Sequence, residues 1–545
     1  MKSKPIDSLN LKDLKVLNIP IVKIKILISD LVRKMKKRFL WGASESGFQF
    51  EMGNPEGKFI DSNSDWWAWV HDEENIKKKL VSGDLPEHGI NYWELYKKDH
   101  ELIKKLGMNA YRIGIEWSRI LAISTRDVEV YVKENEDTGL FDSIVVEEED
   151  MKRLLTHVNR SAVNHYREII KDLRERGIKV IVCLNHFTLP IWIHDPIVAR
   201  RTNLEEGSLG WVDPETVVEF IKYVSVVANL FGDLVDMWAT LNEPFVVAEA
   251  GYLVPEAGFP PGVAAAEGYL AAIVNLTNAH VCAYDAIKKW DTIKADDDSD
   301  EAAFVGIIHN FTPVHPLKKD DERDIQAAKI VDYMRNRWLL NSIVKGEVDL
   351  DLNMEISDDE KLKSFRNKLD WIGVNYYVRF VVKHSEKPLV PGFELASFEF
   401  VAGYGGECEP RSKSLDNRPT TDFGWEVYPE GLRESLNIAA KYNKPIIVTE
   451  NGLADAEDVL RSWFIVQHVH QLELAIKEDK IDVDGYLHWA LTDNYEWAHG
   501  FSKRFGLIEV DLKTKERKPR KSSEVFREIA ENNGLTDNLI KKYLQ

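Results

Sequence analysis

The stretch MWATLNE, Met237 to Glu243, is an apolar, β-branched run that ends abruptly in an amide and a carboxylic acid. PIIVTEN, Pro445 to Asn451, repeats the pattern much later in the chain. Runs of this length and composition read as buried strands. Working outward, six more share the pattern: Phe39 to Ser44, Tyr111 to Trp117, Lys179 to Phe187, Phe304 to Asn310, Leu369 to Tyr377 and Tyr486 to Asn494. Stretches with apolar residues three and four apart intervene, among them Tyr92 to Leu106, Ala162 to Arg176, Pro214 to Phe231 and Asp324 to Val344. Eight alternating pairs predict an α/β fold, a (β/α)8 TIM barrel. Polar segments after the second, third and sixth strands, Ile120 to Asn159, Thr188 to Asp213 and Val378 to Phe423, are read as long loop insertions that build pocket walls or subunit contacts.

Reactive side chains gather where the strands end. Arg112 opens its strand, whereas His186, Glu243, Asn310, Tyr377, Glu450 and the region of Glu496 all fall at strand ends, the active face of such barrels. A carboxylate closing an apolar strand is costly to desolvate without partners, so two of them at one mouth suggest chemistry. The bland alternative is that each caps the next helix. Glu is a weak cap beside Ser or Asp, and Asn flanks both Glu243 and Glu450, which favours the functional reading.

Composition narrows the partners. The chain has 545 residues, 44% hydrophobic and 30% charged, enough to bury a large core. A formal charge of −19 disfavours nucleic acid or an anionic membrane, both of which need a basic face. Cys183, Cys282 and Cys408 lie too far apart for a redox pair or zinc knuckle. The apolar stretch around Ile19 to Ile28 is interrupted by Lys23 and Lys25, so neither a membrane span nor a cleaved signal is expected, and the location is expected to be cytoplasmic. Residues 1–34 carry eight Lys or Arg against three Asp and are read as a loosely ordered basic extension; residues 35–545 are read as one catalytic barrel domain.

At the two strand ends, TLNEP (Thr240 to Pro244) and VTENG (Val448 to Gly452) resemble the signature motifs of family 1 glycoside hydrolases. The resemblance runs from about Phe39 to Phe526 through FLWGASESGFQFE, AYRIGIEWSRI, GVNYY, DFGWEVYPEGL and GYLHWALTDNYEWAHGFSKRFGL. VSGDLPEHG, HDPIVARR and GFPPG are most similar to the β-glycosidases of thermophilic archaea. The resemblance implies a retaining β-glycosidase of β-glucosidase or β-galactosidase type, acting on terminal non-reducing β-glycosides. Glu243 would be the acid/base and Glu450 the nucleophile, with Arg112 and Tyr377 holding Glu450 ionised. Gln49, His186, Asn242, Trp489, Glu496 and Trp497 would bind the sugar, Asn242 at the 2-hydroxyl, and Asn310 would support the acid/base. Retention requires carboxyl groups about 5–5.5 Å apart with separated pKa values.

Relatives that take 6-phosphorylated sugars carry a serine where this chain has Glu496, with a lysine and a tyrosine further on; here Lys503 is present, but Phe505 replaces the tyrosine. Unphosphorylated substrates are therefore expected, and Trp425 is read either as a wall of the leaving-group side or as packing. The same residues would serve a transglycosylating enzyme, and an inactive sugar-binding homologue is the other alternative. No cofactor or metal is expected, since the reaction moves only protons and a glycosyl group. A homo-oligomer, dimer or tetramer, is expected from the archaeal-type insertions.

Overall fold

The computed structural model describes residues 39–545, except 297, 298, 300 and 389–396. The proposed extension, 1–34, lies outside the described residues. Eight parallel strands form a closed barrel: β1 (Leu40–Ser44), β2 (Ala110–Gly114), β3 (Lys179–Cys183), β4 (Met237–Asn242), β5 (Phe304–Asn310), β6 (Trp371–Asn375), β7 (Ile446–Glu450) and β8 (Val483–His488). Each strand neighbours its successor, and β8 pairs with β1 to close the ring. A helix packs outside after every strand: α1 (Tyr92–Lys105), α2 (Arg160–Glu175), α3 (Glu215–Phe231), α4 (Ala266–Trp290), α5 (Glu322–Asp332), α6 (Glu430–Ala439), α7 (Arg461–Lys477) and α8 (Lys521–Asn532). The (β/α)8 expectation is borne out, and Leu40–Gln545 is one compact unit.

Local chemistry explains the elements. α2 starts where the Asn159 side chain accepts from the Ala162 amide, and it buries Ala162, Val163, Tyr166, Ile169, Ile170 and Leu173, spaced to form one stripe. The strands contribute alternate side chains to the barrel interior, where Ala110, Ile181, Cys183, Met237, Ala239, Ile308, Trp371, Ile447 and Leu487 pack together. The bulk of Trp371 is accommodated by Gly306 on the adjacent strand, where an added Cβ would come within 2.3 Å of the indole.

The expected strands overran their C-terminal ends. β2 stops at Gly114, leaving Arg112 mid-strand, and Trp117–Ile120 is a helical turn; β3 stops at Cys183 and β8 at His488. Hydrophobic side chains continue past each end because the loops there are themselves buried, as at Ile115, Leu184, Ala490 and Leu491. The insertions are not structureless. Ile120 to Asn159 holds a hairpin, Tyr131–Glu134 with Phe141–Val145, then a helix, Glu148–His157, started by a capping box of Glu147 and Asp150. In the insertion after the sixth strand, Phe380–His384 and Phe398–Phe400 join Val314–Pro316 in a small sheet. The helix expected over Asp324 to Val344 ends regular α-geometry at Asp332 and continues as wide turns, Tyr333–Arg337 and Asn341–Lys345, around a short α-turn. The first wide turn presents Asn336 to the backbone of Thr312, with which it exchanges hydrogen bonds of 2.9 and 2.8 Å.

If Trp371 and Gly306 interlock as described, Trp371→Ala should destabilise by about 3–5 kcal/mol and Gly306→Ala by about 1–3 kcal/mol through overpacking. Denaturant unfolding checks both; an unchanged midpoint for Gly306→Ala would contradict the close packing.

Candidate active site

Strand register assembles the mouth of the barrel. Asn310 closing β5 lies beside Asn375 closing β6, and Asn375 lies beside Glu450 closing β7. Glu450 is nearly fully buried, with two partners for its two oxygens. The Arg112 guanidinium donates to Oε1 at 2.5 Å, and the Tyr377 hydroxyl donates to Oε2 at 2.6 Å. Burial works against the charge on Arg112, but Glu450 beside it outweighs that cost and keeps the guanidinium protonated. Burial, then the charge of Glu450, raises the Tyr377 phenol well above its usual range, so it remains a donor.

Glu243 has the opposite surroundings. It occupies the N-cap position of the helix Pro244–Tyr252, yet its side chain makes no cap bond. Its Oε1 instead accepts from the amides of Asn375, at 2.7 Å, and Asn310, at 2.9 Å. The capping alternative therefore fails. The backbone of Glu243 is left-handed, φ 47° and ψ 60°, a conformation that costs an L-residue about 1–2 kcal/mol. Burial, reinforced by the charge of Glu450, pushes the Glu243 carboxyl up to about 7 against the pull of the two amides.

Both carboxyls line a cavity of about 550 Å³, together with His186, Asn310, Tyr377, Trp489, Glu496 and Trp497 from the expected set. Gln49, Asn242 and Arg112 stand behind this wall, buried. Gln49 donates to Asn494 Oδ1 at 3.1 Å and reaches Glu496 Oε2 at 3.4 Å. Burial, then the charges of Glu450 and Glu243, pushes Glu496 up to about 8. Asn242 accepts from Arg112 at 3.2 Å and lies 3.3 Å from His186 Nε2. Burial and the Arg112 charge keep His186 neutral, its pKa well below the usual value. The His186 ring lies nearly parallel to Trp489 and Trp497, 5.8 and 5.7 Å away, so the floor is an aromatic bed with polar edges.

Trp425 lines the cavity as well and is packed too, stacked on Phe423 at 4.4 Å. Sequence reasoning missed Asn375, although it sits in the GVNYY segment; its place beside Asn310 and Glu450 depends on strand register. Phe187, Phe259 and Phe423 were also missed, since each stands on a loop whose path has no periodic signal. Among the described residues, Asp349, Asp351 and Glu360 could converge on a cation. None of them lines the cavity, and Asp349 and Glu360 already accept backbone N–H groups of their own loop.

The family model described as glycosyl hydrolase family 1 matches residues 32–129 and 154–535; the gap spans the Tyr131–Val145 hairpin. A β-galactosidase of Pyrococcus woesei is 50% identical over 93% of this chain and 99% of its own. Among solved structures, the β-glycosidase of the hyperthermophile Thermosphaera aggregans is 42% identical, covering 93% of this chain and 98% of its own with a TM-score of 0.83. A β-glucosidase mutant derived from a hyperthermophilic tetrameric structure is 43% identical over 93% of this chain and 97% of its own, with a TM-score of 0.81. With that match across the barrel, and with relatives of this identity over nearly their whole length, the chain belongs to glycosyl hydrolase family 1 and is a β-glycosidase.

Proposed function

We propose that the protein hydrolyses β-glycosides with retention, Glu450 attacking the anomeric carbon and Glu243 serving first as acid and then as base. The supporting observation is the asymmetry of two carboxyls in one cavity: Glu450 lies against a guanidinium and a phenol, while Glu243 is raised to about 7 among amides. In the first step a Glu450 oxygen bonds to the anomeric carbon as the glycosidic bond breaks, and the Glu243 proton passes to the departing oxygen. In the second, Glu243 takes a proton from water, whose oxygen displaces Glu450 and restores both carboxyls. Gln49, His186, Asn242 and Glu496 offer amide, imidazole and carboxyl groups to sugar hydroxyls, and Trp489 and Trp497 offer faces to the ring. Asn242 is assigned to the 2-hydroxyl, where hydrogen bonds tighten as the ring flattens.

Glucosides and galactosides are the proposed substrates, unphosphorylated. That exclusion rests on missing cations. With its carboxyl raised to about 8, Glu496 is largely neutral near pH 7, but Lys503 donates to the Asp422 carbonyl at 2.7 Å and lies over the Phe423 ring. No Lys or Arg among the described residues lines the cavity. A dimer or tetramer is also proposed, supported by the tetrameric parent of the solved glucosidase mutant. We assign the protein to the cytoplasm, supported by three cysteines that are all free. No helix of the described residues is long and apolar enough to cross a membrane.

Glu450→Gly should be inactive in buffer and regain turnover with azide, releasing a glycosyl azide of inverted anomeric configuration; an azide of retained configuration would remove Glu450 from its role. kcat/KM should fall as pH rises through about 7, because the acid that loses its proton there is Glu243. Glu243→Gln should abolish that limb and cut turnover of alkyl glycosides by about 10²–10⁴-fold. Paired aryl glycosides should show preference for the free sugar, and preference for the 6-phosphate would refute the substrate class.

A further inference from the structure

The hydrogen bonds behind the cavity determine where the acidic proton can reside, and the deduction starts at Arg112, a side chain that can only donate. Its Nη1 donates to Asn242 Oδ1 at 3.2 Å, which makes that atom an acceptor and fixes the Asn242 amide. The Asn375 group 3.2 Å from the same oxygen must then be its NH2. That NH2 also donates to Glu243 Oε1 at 2.7 Å, while the other face of the amide, Oδ1, accepts from the Thr449 hydroxyl at 2.8 Å. Asn310 repeats the arrangement from the neighbouring strand: its NH2 donates to Glu243 Oε1 at 2.9 Å, and its Oδ1 accepts from the Thr312 hydroxyl at 3.0 Å. Two N–H donors therefore converge on one oxygen of Glu243. Oε2 accepts from no described residue.

Resting on the reading of Glu243 as acid/base, we propose that Arg112, acting through Asn242 and Asn375, confines the Glu243 proton to Oε2, and that Thr449 and Thr312 are positioning residues that keep the two amides turned the productive way. An oxygen whose two lone pairs accept N–H bonds has no room for its own proton, so the neutral acid must be Oε2–H, with the carbonyl at Oε1. Oε2–H is then the bond broken when the departing oxygen is protonated. The same guanidinium that neutralises Glu450 thereby also orients the acid. A rotated Asn375 amide would set its oxygen against Glu243, draw the proton to Oε1, away from the departing group, and remove a bond that favours the anion.

Thr449 touches neither carboxyl through its side chain, so Thr449→Val tests the relay, with Thr449→Ser as the variant that keeps the hydroxyl. For Thr449→Val the expected result has two parts. kcat/KM should fall at least about tenfold on alkyl glycosides, part of the 10²–10⁴ that a positioned acid contributes, yet change little on 2,4-dinitrophenyl glycosides, which leave without protonation. The basic limb should move to higher pH, and Thr449→Ser should restore both. Equal losses on both substrates with the limb unmoved, or no loss at all, would overturn the relay. Glu243→Gln, measured alongside, separates the two levels: if it lacks the leaving-group dependence, the acid assignment itself fails and the relay with it. Should Thr449→Val not fold, infrared difference spectra of the intact protein against Glu243→Gln decide. A Glu243 carbonyl band lowered by two N–H bonds supports the proposal, and a band at the frequency of an unbonded carbonyl refutes it.

Discussion

The buried contact between Arg112 and Glu450 organises everything around it. Four glutamates line one cavity; Glu407 is exposed, and of the other three, Glu243, Glu450 and Glu496, the guanidinium behind the cavity bonds directly to Glu450. Taking a carboxylate out of water costs several kcal/mol unless a well-placed partner compensates, and removing one member of such a pair typically costs about 3–5 kcal/mol. With the counter-cation committed to Glu450, the other two carboxyls have burial and a neighbouring negative charge against ionisation, and both move up, to about 7 and about 8. A single placement of charge thus sets one cation-paired carboxyl apart from two raised ones without any change of residue type.

The barrel makes that placement possible by linking strands that are far apart in sequence. Arg112 comes from β2, Glu450 from β7, and the amides that hold Glu243 come from the ends of β5 and β6. Packing below the mouth, where Trp371 fills the space left by Gly306, fixes the neighbouring strands β5 and β6 against each other. At the mouth, backbone strain is tolerated at pocket-lining residues: Phe187, Glu243 and Trp497 all have positive φ. Trp497 is backed by Phe48, whose ring lies parallel to it with centroids 6.1 Å apart. Such rigidity suits a site whose groups must already point correctly before the substrate arrives.

Much of this was legible in the sequence, and the limits have physical causes. The eight strands were readable because a buried parallel strand is a short apolar run with a sharp polar end, as in MWATLNE. Their C-terminal boundaries were less readable, because Leu184, Ala490 and Leu491 stay apolar after the backbone has left the sheet. The helix expected over Asp324 to Val344 kept its apolar spacing through turns that are no longer α-helical. Glu243 and Glu450 stood out by motif; Asn375 did not, because its importance lies in lateral register with β5 and β7. The family match to residues 32–129 and 154–535 agrees with the resemblance seen in those motifs.

The account stands on Glu243 being the neutral partner because burial and the neighbouring charge of Glu450 both oppose its ionisation. Site-resolved 13C NMR titration of the Glu243 carboxyl, in the free enzyme and in the enzyme trapped as a 2-fluoroglycosyl ester on Glu450, measures that dependence directly. A titration near pH 7 in the free enzyme that drops once the ester removes the neighbouring charge is the predicted result. A Glu243 carboxyl that titrates in the ordinary carboxylate range in the free enzyme, or whose midpoint is unmoved by the ester, would contradict it.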